Sequence, residues 1–289
     1  MSAQQAPRRR VTLASLVAKK KGSEPIVMVT AYDHPGAQIV EAAGVDVVLV
    51  GDSAAMTVLG YDSTVPVTVD EMLMLTKAVR RGLSVPLLVG DLPFGSYEAS
   101  DELAVATAQR FVKEAGCDLV KIERGGTTVD RARALVQAGI PVVGHVGLTP
   151  QTATALGGYR AQGRTADAAL AVIDDALALQ EAGCSMLVVE AVPPDVTALL
   201  VSQLEIPVIG IGAGADADGQ VLVFHDLLGI YDGGAAKFVK RYADLRTAAI
   251  AGVETYVSDV RGGMYPSVEH GYAMADGEAE RLRGLLAGR

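Results

Sequence analysis

Residues 87–98 read LLVGDLPFGSYE, a short apolar run that ends at Gly90 and Asp91 and continues into a loop containing proline and glycine. An apolar run of about four residues bounded by turn residues is typical of a strand buried on both faces. A carboxylate at the exit of such a strand lies where parallel α/β folds keep their chemistry. The stretch therefore predicts a buried parallel strand that carries Asp91 to a functional site.

The same arrangement recurs along the chain, each time as an apolar run closed by an ionisable residue. The runs beginning at residues 47, 120, 142 and 188 lead to Asp52, Glu123, His145 and Glu190. Three further apolar runs begin at Ile26, Val208 and Val221, so that with the intervening helical patterns the chain has eight strand–helix alternations, which predict an α/β chain folded as a (β/α)8 TIM barrel. A doubly wound parallel sheet is the alternative, but it rarely accommodates this many units in one domain.

The length of 289 residues lies within the usual size of one α/β barrel. We expect a single barrel domain over residues 1–289, with a short amino-terminal helix at about 11–20 and a helical tail at about 242–289. The sequence becomes charged from Asp276, and we expect irregular structure from there to the end.

Composition excludes several functional classes. A net charge of −9 argues against a nucleic-acid or anionic membrane surface, since both require clustered positive charge. No apolar run approaches the roughly 20 residues of a membrane span. The two cysteines, Cys117 and Cys184, have no neighbouring His cluster, so neither a disulfide framework nor a zinc site is indicated. These features predict a cytoplasmic enzyme that acts on a small molecule.

Carboxylates at the ends of barrel strands would meet at one mouth of the barrel, and Asp52, Asp91 and Glu123 form the first such group. Two carboxylates about 4 Å apart repel by about 4 kcal/mol at an effective dielectric constant of about 20, a cost that a bound cation removes. A ligand set made of oxygen atoms favours Mg²⁺, or Mn²⁺, over Zn²⁺. The remaining coordination positions suit a bidentate oxygen ligand such as a 2-oxo acid.

Glu190 differs from the other carboxylates because apolar residues precede and follow it. A carboxylate in that setting suits a general base that removes a proton from carbon, and a metal would stabilise the resulting enolate. Lys121 lies two residues before Glu123 on the same face of one strand, where its charge could meet the developing oxyanion. A Schiff-base nucleophile is the alternative interpretation of Lys121.

Longer motifs carry a family resemblance. They are GDS at 51–53, GDLPFGSYE at 90–98, KIE at 121–123, GHVGLTPQ at 144–151, GGYRAQGR at 157–164, IGIGAG at 209–214 and DGQVLVFHD at 218–226. In this order, over residues 11–272, they resemble the ketopantoate hydroxymethyltransferase family, also called 3-methyl-2-oxobutanoate hydroxymethyltransferase. The resemblance implies a barrel akin to the phosphoenolpyruvate mutase and isocitrate lyase enzymes.

The resemblance also implies a reaction of pantothenate biosynthesis, in which 5,10-methylenetetrahydrofolate donates a one-carbon unit to 3-methyl-2-oxobutanoate. Its products are 2-dehydropantoate and tetrahydrofolate. The matched motifs imply Mg²⁺ ligands at Asp52, Asp91 and Glu123, contacts to the 2-oxo acid from Asp52, Ser53, Asp91 and Lys121, and a proton acceptor at Glu190. They also imply a homo-oligomer, typically a decamer in bacteria.

The chain departs from the family pattern at Arg124, where glycine is expected, and at Gly271, where serine is usual. His145 matches a pocket histidine to which we assign no function. Two other hypotheses remain: a lyase or mutase of the same superfamily acting on another 2-oxo acid, and a barrel that only binds a metabolite. Against the first hypothesis, this chain lacks the cysteine-bearing Lys-Lys-Cys-Gly-His loop that those lyases use. Against the second, a barrel that only binds a metabolite would not need a base such as Glu190.

Overall fold

The computed structural model describes residues 9–234 and 236–289. Its strands are β1 (Ile26–Thr30), β2 (Val47–Val50), β3 (Leu87–Asp91), β4 (Leu119–Glu123), β5 (Val142–Gly147), β6 (Met186–Glu190), β7 (Val208–Ile211) and β8 (Gly219–Leu222). All eight run parallel, each pairs with its neighbour in sequence, and β8 pairs with β1 to close the barrel. The predicted TIM barrel is confirmed, and the doubly wound alternative is wrong.

Helices surround the strands. They are α1 (Leu13–Lys21), α2 (His34–Ala43), α3 (Ala54–Thr57), α4 (Val69–Arg80), α5 (Asp101–Ala115), α6 (Thr128–Gln137), α7 (Ala166–Glu181), α8 (Pro194–Val201) and α9 (Phe224–Leu227). The first compact unit ends at Tyr242, and the second, Ala243–Arg289, contains α10 (Leu245–Arg261) and α11 (Glu278–Ala287). Helices therefore lie in both terminal regions where we expect them, while the single-domain interpretation stays a prediction.

Alternate residues of each strand face two different cores, as the parallel-barrel pattern requires. In β2, Val47 and Leu49 belong to the cluster inside the barrel, whereas Val48 belongs to the cluster between strands and helices. Leu16 of α1 joins the inner cluster and is buried. Helix α1 therefore covers the amino-terminal end of the barrel, which leaves the carboxyl ends of the strands for the site.

Two boundaries differ from the sequence prediction. Strand β8 begins at Gly219 rather than Val221, because Gly219 pairs with Ile26 and a Cβ there would lie 2.3 Å from the Ile26 carbonyl oxygen. Only glycine permits that approach, and glycine is a weak strand signal. The expected irregular end is also wrong, since α11 forms with an ion pair between Arg281 and Glu278.

The remaining composition-based expectations concern cysteines and membranes. Cys117 and Cys184 are buried and free, and burial raises the pKa of both thiols. Across the residues that the structure describes, no helix has the length and apolar character needed to cross a bilayer.

Thr68 begins α4 with a reciprocal cap. The Glu71 N–H donates to Thr68 Oγ1 at 3.2 Å, and the Thr68 N–H donates to Glu71 Oε2 at 2.8 Å. We expect Thr68→Ala to lower the free energy of unfolding by about 1 kcal/mol, because a helix N–H loses its partner. Equilibrium urea denaturation measures this change. Thr68→Ser, which keeps the hydroxyl, should stay near wild type; an equal loss in both variants would contradict the cap.

Candidate active site

The carboxyl ends of the strands meet at one mouth of the barrel. Strand register places Asp91 beside Lys121 and Glu123 beside His145, and the backbone of Glu190 pairs with Gly147. One cavity of about 220 Å³ is lined by Asp52, Asp91, Lys121, Glu123, His145 and Glu190. The structure thus brings together every ionisable residue that the sequence places at a strand exit.

Asp52, Asp91 and Glu123 form a buried acidic triad, and one oxygen atom from each lies within 4.8 Å of the others. The backbone N–H of Asp52 donates to Asp91 Oδ2 at 3.0 Å, which holds the turn after β2 against the end of β3. Asp52 Oδ2 is buried and accepts no hydrogen bond from any residue that the structure describes. This orphaned oxygen and the all-oxygen donor set fit a hard divalent cation.

Lys121 is the counter-charge that the protein itself supplies to this triad. Its Nζ lies 2.8 Å from Asp91 Oδ1 and 2.9 Å from Glu123 Oε1, with all three side chains almost fully buried. One ammonium therefore faces three carboxylates. When all three carboxylates are ionised, their negative charge exceeds the positive charge of Lys121 and of the nearby His145, and a divalent cation would balance that excess.

The pKa values of the clustered side chains reflect their burial and the charges beside them. Burial, followed by the charges of Asp91 and Glu123, raises the pKa of Asp52 well above its usual range. Burial opposes ionisation of Glu123 as well, but Lys121 and His145 lower the pKa of that carboxyl to about 2. Burial also disfavours the Lys121 ammonium, yet the surrounding carboxylates raise its pKa well above the ordinary value. Lys121 is therefore a protonated ion-pair partner, which argues against a Schiff-base nucleophile.

His145 lies between two carboxylates. Its Nδ1 is 3.2 Å from Glu123 Oε1, and its Nε2 is 3.3 Å from Glu190 Oε2. Burial and Lys121 lower the pKa of this histidine, but Glu123 and Glu190 outweigh them and raise it to about 9. His145 thus connects the acidic triad with Glu190, a contact that the sequence alone did not reveal.

Glu190 faces the cavity from the end of β6, and its side chain is 15% exposed, whereas that of Glu123 is 1% exposed. Gly147 of β5 permits this placement, because a Cβ on Gly147 would lie 2.3 Å from the Glu190 carbonyl oxygen. The next residue, Leu148, donates its N–H to that same oxygen at 2.9 Å. The backbone of Glu190 is therefore fixed while its carboxylate stays accessible.

Ser53 lies beside the triad at the start of α3 and also lines the cavity. Its Oγ is 2.8 Å from the hydroxyl of Tyr32, whose pKa is raised to about 12 by burial. The structure thus places all of the predicted site residues in one pocket, with Ser53 at its edge.

Arg124 occupies the position where the family resemblance implies glycine. Its φ of 81° is a left-handed conformation that glycine adopts more readily. The Arg124 side chain is exposed and lines a separate cavity with Asp175, so Glu123 keeps its place in the triad.

Sequence reasoning assigned no function to four residues that prove to matter here. Tyr97 and Gln151 contact Glu123 from loops; Tyr97 is the second-to-last residue of the motif GDLPFGSYE, and Gln151 is the last residue of GHVGLTPQ. Tyr159 and Phe238 line a second cavity of about 770 Å³, which shares Glu190 with the first. Tyr97, Gln151 and Tyr159 lie within the motifs quoted from the sequence, whereas Phe238 lies in none of them. No spacing rule indicated where any of the four would lie in the fold.

Comparison with known proteins gives a consistent result. Residues 10–268 match the family described as ketopantoate hydroxymethyltransferase. The 3-methyl-2-oxobutanoate hydroxymethyltransferase of Moorella thermoacetica is 53% identical over 267 residues, which cover 92% of this chain and 99% of that protein. The protein of the same name from Geobacillus kaustophilus is 50% identical over 265 residues, covering 92% of this chain and 95% of its own.

Solved structures resemble the barrel at much lower identity. Phosphonopyruvate hydrolase matches with a TM-score of 0.60 and 13% identity, over 96% of this chain and 98% of that one. Its complex with oxalate and Mg²⁺ matches with a TM-score of 0.59 and the same identity and coverage. 2,3-Dimethylmalate lyase, a phosphoenolpyruvate mutase/isocitrate lyase superfamily member, matches with a TM-score of 0.58 and 16% identity, over 97% of both chains. These similarities confirm the expected type of barrel.

Proposed function

The chain belongs to the ketopantoate hydroxymethyltransferase family, and from that premise we propose that it uses Mg²⁺ and 5,10-methylenetetrahydrofolate to hydroxymethylate 3-methyl-2-oxobutanoate. It is a transferase, and the family name connects it with pantothenate biosynthesis. Relatives at 53% and 50% identity with this activity in their names disfavour the lyase, mutase and binding-only alternatives. The observation that carries the metal and base assignments is the buried acidic triad with Glu190 beside it in one cavity.

Asp52, Asp91 and Glu123 are the proposed Mg²⁺ ligands. Their oxygen atoms lie within 4.8 Å of one another, and the buried Asp52 Oδ2 has no donor among the described residues. When bound, Mg²⁺ supplies positive charge that withdraws electron density from a 2-oxo acid. The similar barrel of phosphonopyruvate hydrolase has been solved with oxalate and Mg²⁺, which supports this combination of ion and dicarbonyl ligand in such a cavity.

The inner cavity suits a small branched 2-oxo acid. At about 220 Å³ it is too small for a folate, and its polar side carries Ser53 and Lys121. Its apolar side is formed by inward-facing strand residues, among them Leu49, Val188 and Ile211. We assign the carboxylate and oxo group to the polar side and the branched carbon to the apolar side.

Glu190 is the proposed general base. Its carboxylate takes the proton from C3 of the oxo acid, and the C–H electron pair forms the C2–C3 double bond of an enolate with the charge on the 2-oxygen. The Lys121 ammonium stabilises that oxygen electrostatically. C3 then forms a bond to the methylene carbon donated by the folate, and both C–N bonds of that methylene bridge break. Overall, one water supplies the hydroxyl oxygen of the product, and the two folate nitrogens take up the proton lost from C3 and one proton of that water.

The second cavity, about 770 Å³ in volume, supports folate as the one-carbon donor. It adjoins the first through shared lining residues, and Tyr159 and Phe238 give it aromatic surface against which a planar ring can stack. Arg160 and Lys237 add positive charge for the carboxylates of a glutamate tail. Glu190 lines both cavities, which puts the base where the two substrates would meet.

Two further parts of the proposal rest on the resemblance and on composition. The family resemblance supports a homo-oligomer, specifically a decamer, which light scattering of the purified protein tests directly. The net charge of −9 supports a cytoplasmic enzyme without nucleic-acid or membrane partners.

Deuterium exchange tests the proposed chemistry without requiring the complete reaction. We expect the C3 proton signal of 3-methyl-2-oxobutanoate to disappear in D₂O when the protein and Mg²⁺ are present, because enolisation exchanges that proton. Proton NMR follows the signal over time. Chelation of Mg²⁺, or Asp91→Asn, should slow the exchange. No exchange in any sample, with tetrahydrofolate included, would refute the assignment.

A further inference from the structure

Two buried polar side chains meet beside Glu123. Tyr97 lies between β3 and α5, and Gln151 lies in a 3-10 turn, Pro150–Thr152, after β5. The Tyr97 hydroxyl donates to Gln151 Oε1 at 2.7 Å and accepts the Glu123 N–H at 3.2 Å. Tyr97 and Gln151 are only 1% and 3% exposed, so these hydrogen bonds form without competition from water.

Gln151 extends this contact to two strand ends. Its backbone N–H donates to Glu123 Oε2 at 3.1 Å. Its side-chain Nε2 donates to the carbonyl oxygen of Leu92 at 3.0 Å, directly after Asp91. One residue therefore holds the carboxylate of Glu123 and the backbone beside Asp91.

The other oxygen of Glu123 is held by different residues. Lys121 Nζ donates to Oε1 at 2.9 Å, and His145 Nδ1 lies 3.2 Å from the same atom. Both oxygens of this carboxylate therefore have fixed partners. A free glutamate side chain has three rotatable bonds, and holding it in one conformation before a ligand arrives lowers the entropy cost of binding.

We propose that Tyr97 and Gln151 are positioning residues that hold Glu123 in the orientation in which it ligates a divalent cation. This inference rests on the proposed metal site and adds to it the residues that orient one ligand. Residues that hydrogen-bond to metal ligands commonly change metal affinity by about 10- to 100-fold when they are substituted, because they fix the position and charge distribution of the ligand atom. The proposal also explains why these two loop residues are polar although they are buried as deeply as core residues.

Removal of the Tyr97 hydroxyl should weaken metal binding without removing a ligand. In Tyr97→Phe, Gln151 Oε1 and the Glu123 N–H lose their shared partner, so only the Leu92 carbonyl oxygen still holds the Gln151 side chain and the turn that carries its N–H is less restrained. We expect the dissociation constant for Mn²⁺, measured on the full chain from the electron paramagnetic resonance signal of free Mn²⁺, to rise about tenfold. The Mg²⁺ concentration for half-maximal activity should rise similarly, while kcat at saturating Mg²⁺ is retained.

Tyr61→Phe is the matched control. The Tyr61 hydroxyl donates to Glu71 Oε1 at 2.8 Å at the start of α4, so the variant makes the same Tyr→Phe change and also loses a hydroxyl hydrogen bond, but outside the residues that line the inner cavity. Its Mn²⁺ affinity should equal that of the wild type. Gln151→Met provides a second variant that removes both side-chain hydrogen bonds and approximately preserves the side-chain length. If Tyr97 and Gln151 act as one unit, the double variant should bind Mn²⁺ about as well as the weaker single variant.

The outcomes separate this inference from the proposed function. The positioning inference would be overturned, and the metal site left intact, if Asp91→Asn weakens Mn²⁺ binding while Tyr97→Phe and Gln151→Met leave it unchanged. A lower Tm in those two variants with unchanged affinity would have the same meaning, since a merely structural contact stabilises the fold alone. If neither the wild type nor Asp91→Asn binds Mn²⁺, the proposed metal site is overturned, and the positioning inference falls with it.

Discussion

The Glu190→Gln variant is expected to lose C3 exchange and turnover by a factor of about 10²–10⁴ while it still binds Mg²⁺ and the 2-oxo acid. The amide has the shape of the carboxylate but accepts no proton from carbon. In the inner cavity, Asp52, Asp91 and Glu123 are grouped around Lys121, whereas Glu190 lies 3.3 Å from His145 Nε2 and is not part of that triad. Its position apart from the triad is the reason for assigning the base to Glu190.

Two measurements establish this result. Isothermal titration calorimetry of the 2-oxo acid with Mg²⁺ measures binding, and proton NMR in D₂O measures exchange. Glu181→Gln, the same chemical change at the exposed end of α7, should leave both unchanged. Lost binding in Glu190→Gln, or exchange at the wild-type rate, would contradict the base assignment.

The sequence predicted the fold and most of the inner cavity because both follow from local patterns. Apolar runs closed by ionisable residues give strands whose ends meet, so Asp91, Lys121 and Glu123 could be placed together before their distances were known. The two-residue spacing of Lys121 and Glu123 also put both on one face. The pattern could not predict which ion pairs these charged side chains would form.

Contacts between loops could not be predicted from the sequence, for a physical reason. Tyr97 and Gln151 are separated by 54 positions in the chain, and their meeting depends on the paths of two irregular segments that no periodicity describes. Gly219 shows the same limit on a smaller scale, since its pairing in β8 depends on close approach to Ile26 rather than on its own preference. Local patterns determine strand ends, whereas tertiary contacts determine which loop residue supports which ligand.

The Lys121→Met variant is expected to lose about 3–5 kcal/mol of unfolding free energy when Mg²⁺ is absent. Methionine fills a similar volume but leaves Asp91 without its buried positive partner and Glu123 with His145 alone, although both carboxylates are 1% exposed at the side chain. Uncompensated buried charge is far more costly than the loss of an exposed ion pair. Equilibrium denaturation in the presence of a chelator measures the loss.

Lys77→Met gives the comparison that isolates burial. Lys77 pairs with Glu114 at 2.8 Å, but both side chains are nearly 40% exposed, so its loss should cost less than about 1 kcal/mol. Mg²⁺ should then raise the Tm of Lys121→Met more than that of the wild type, because the ion supplies positive charge where the ammonium is missing. If Lys121→Met is as stable as Lys77→Met and responds to Mg²⁺ like the wild type, Lys121 is not the counter-charge of the triad. The proposed stabilising and catalytic functions of this lysine can thus be separated, since we expect Mg²⁺ to restore stability without restoring the ammonium proposed to lie beside the 2-oxygen.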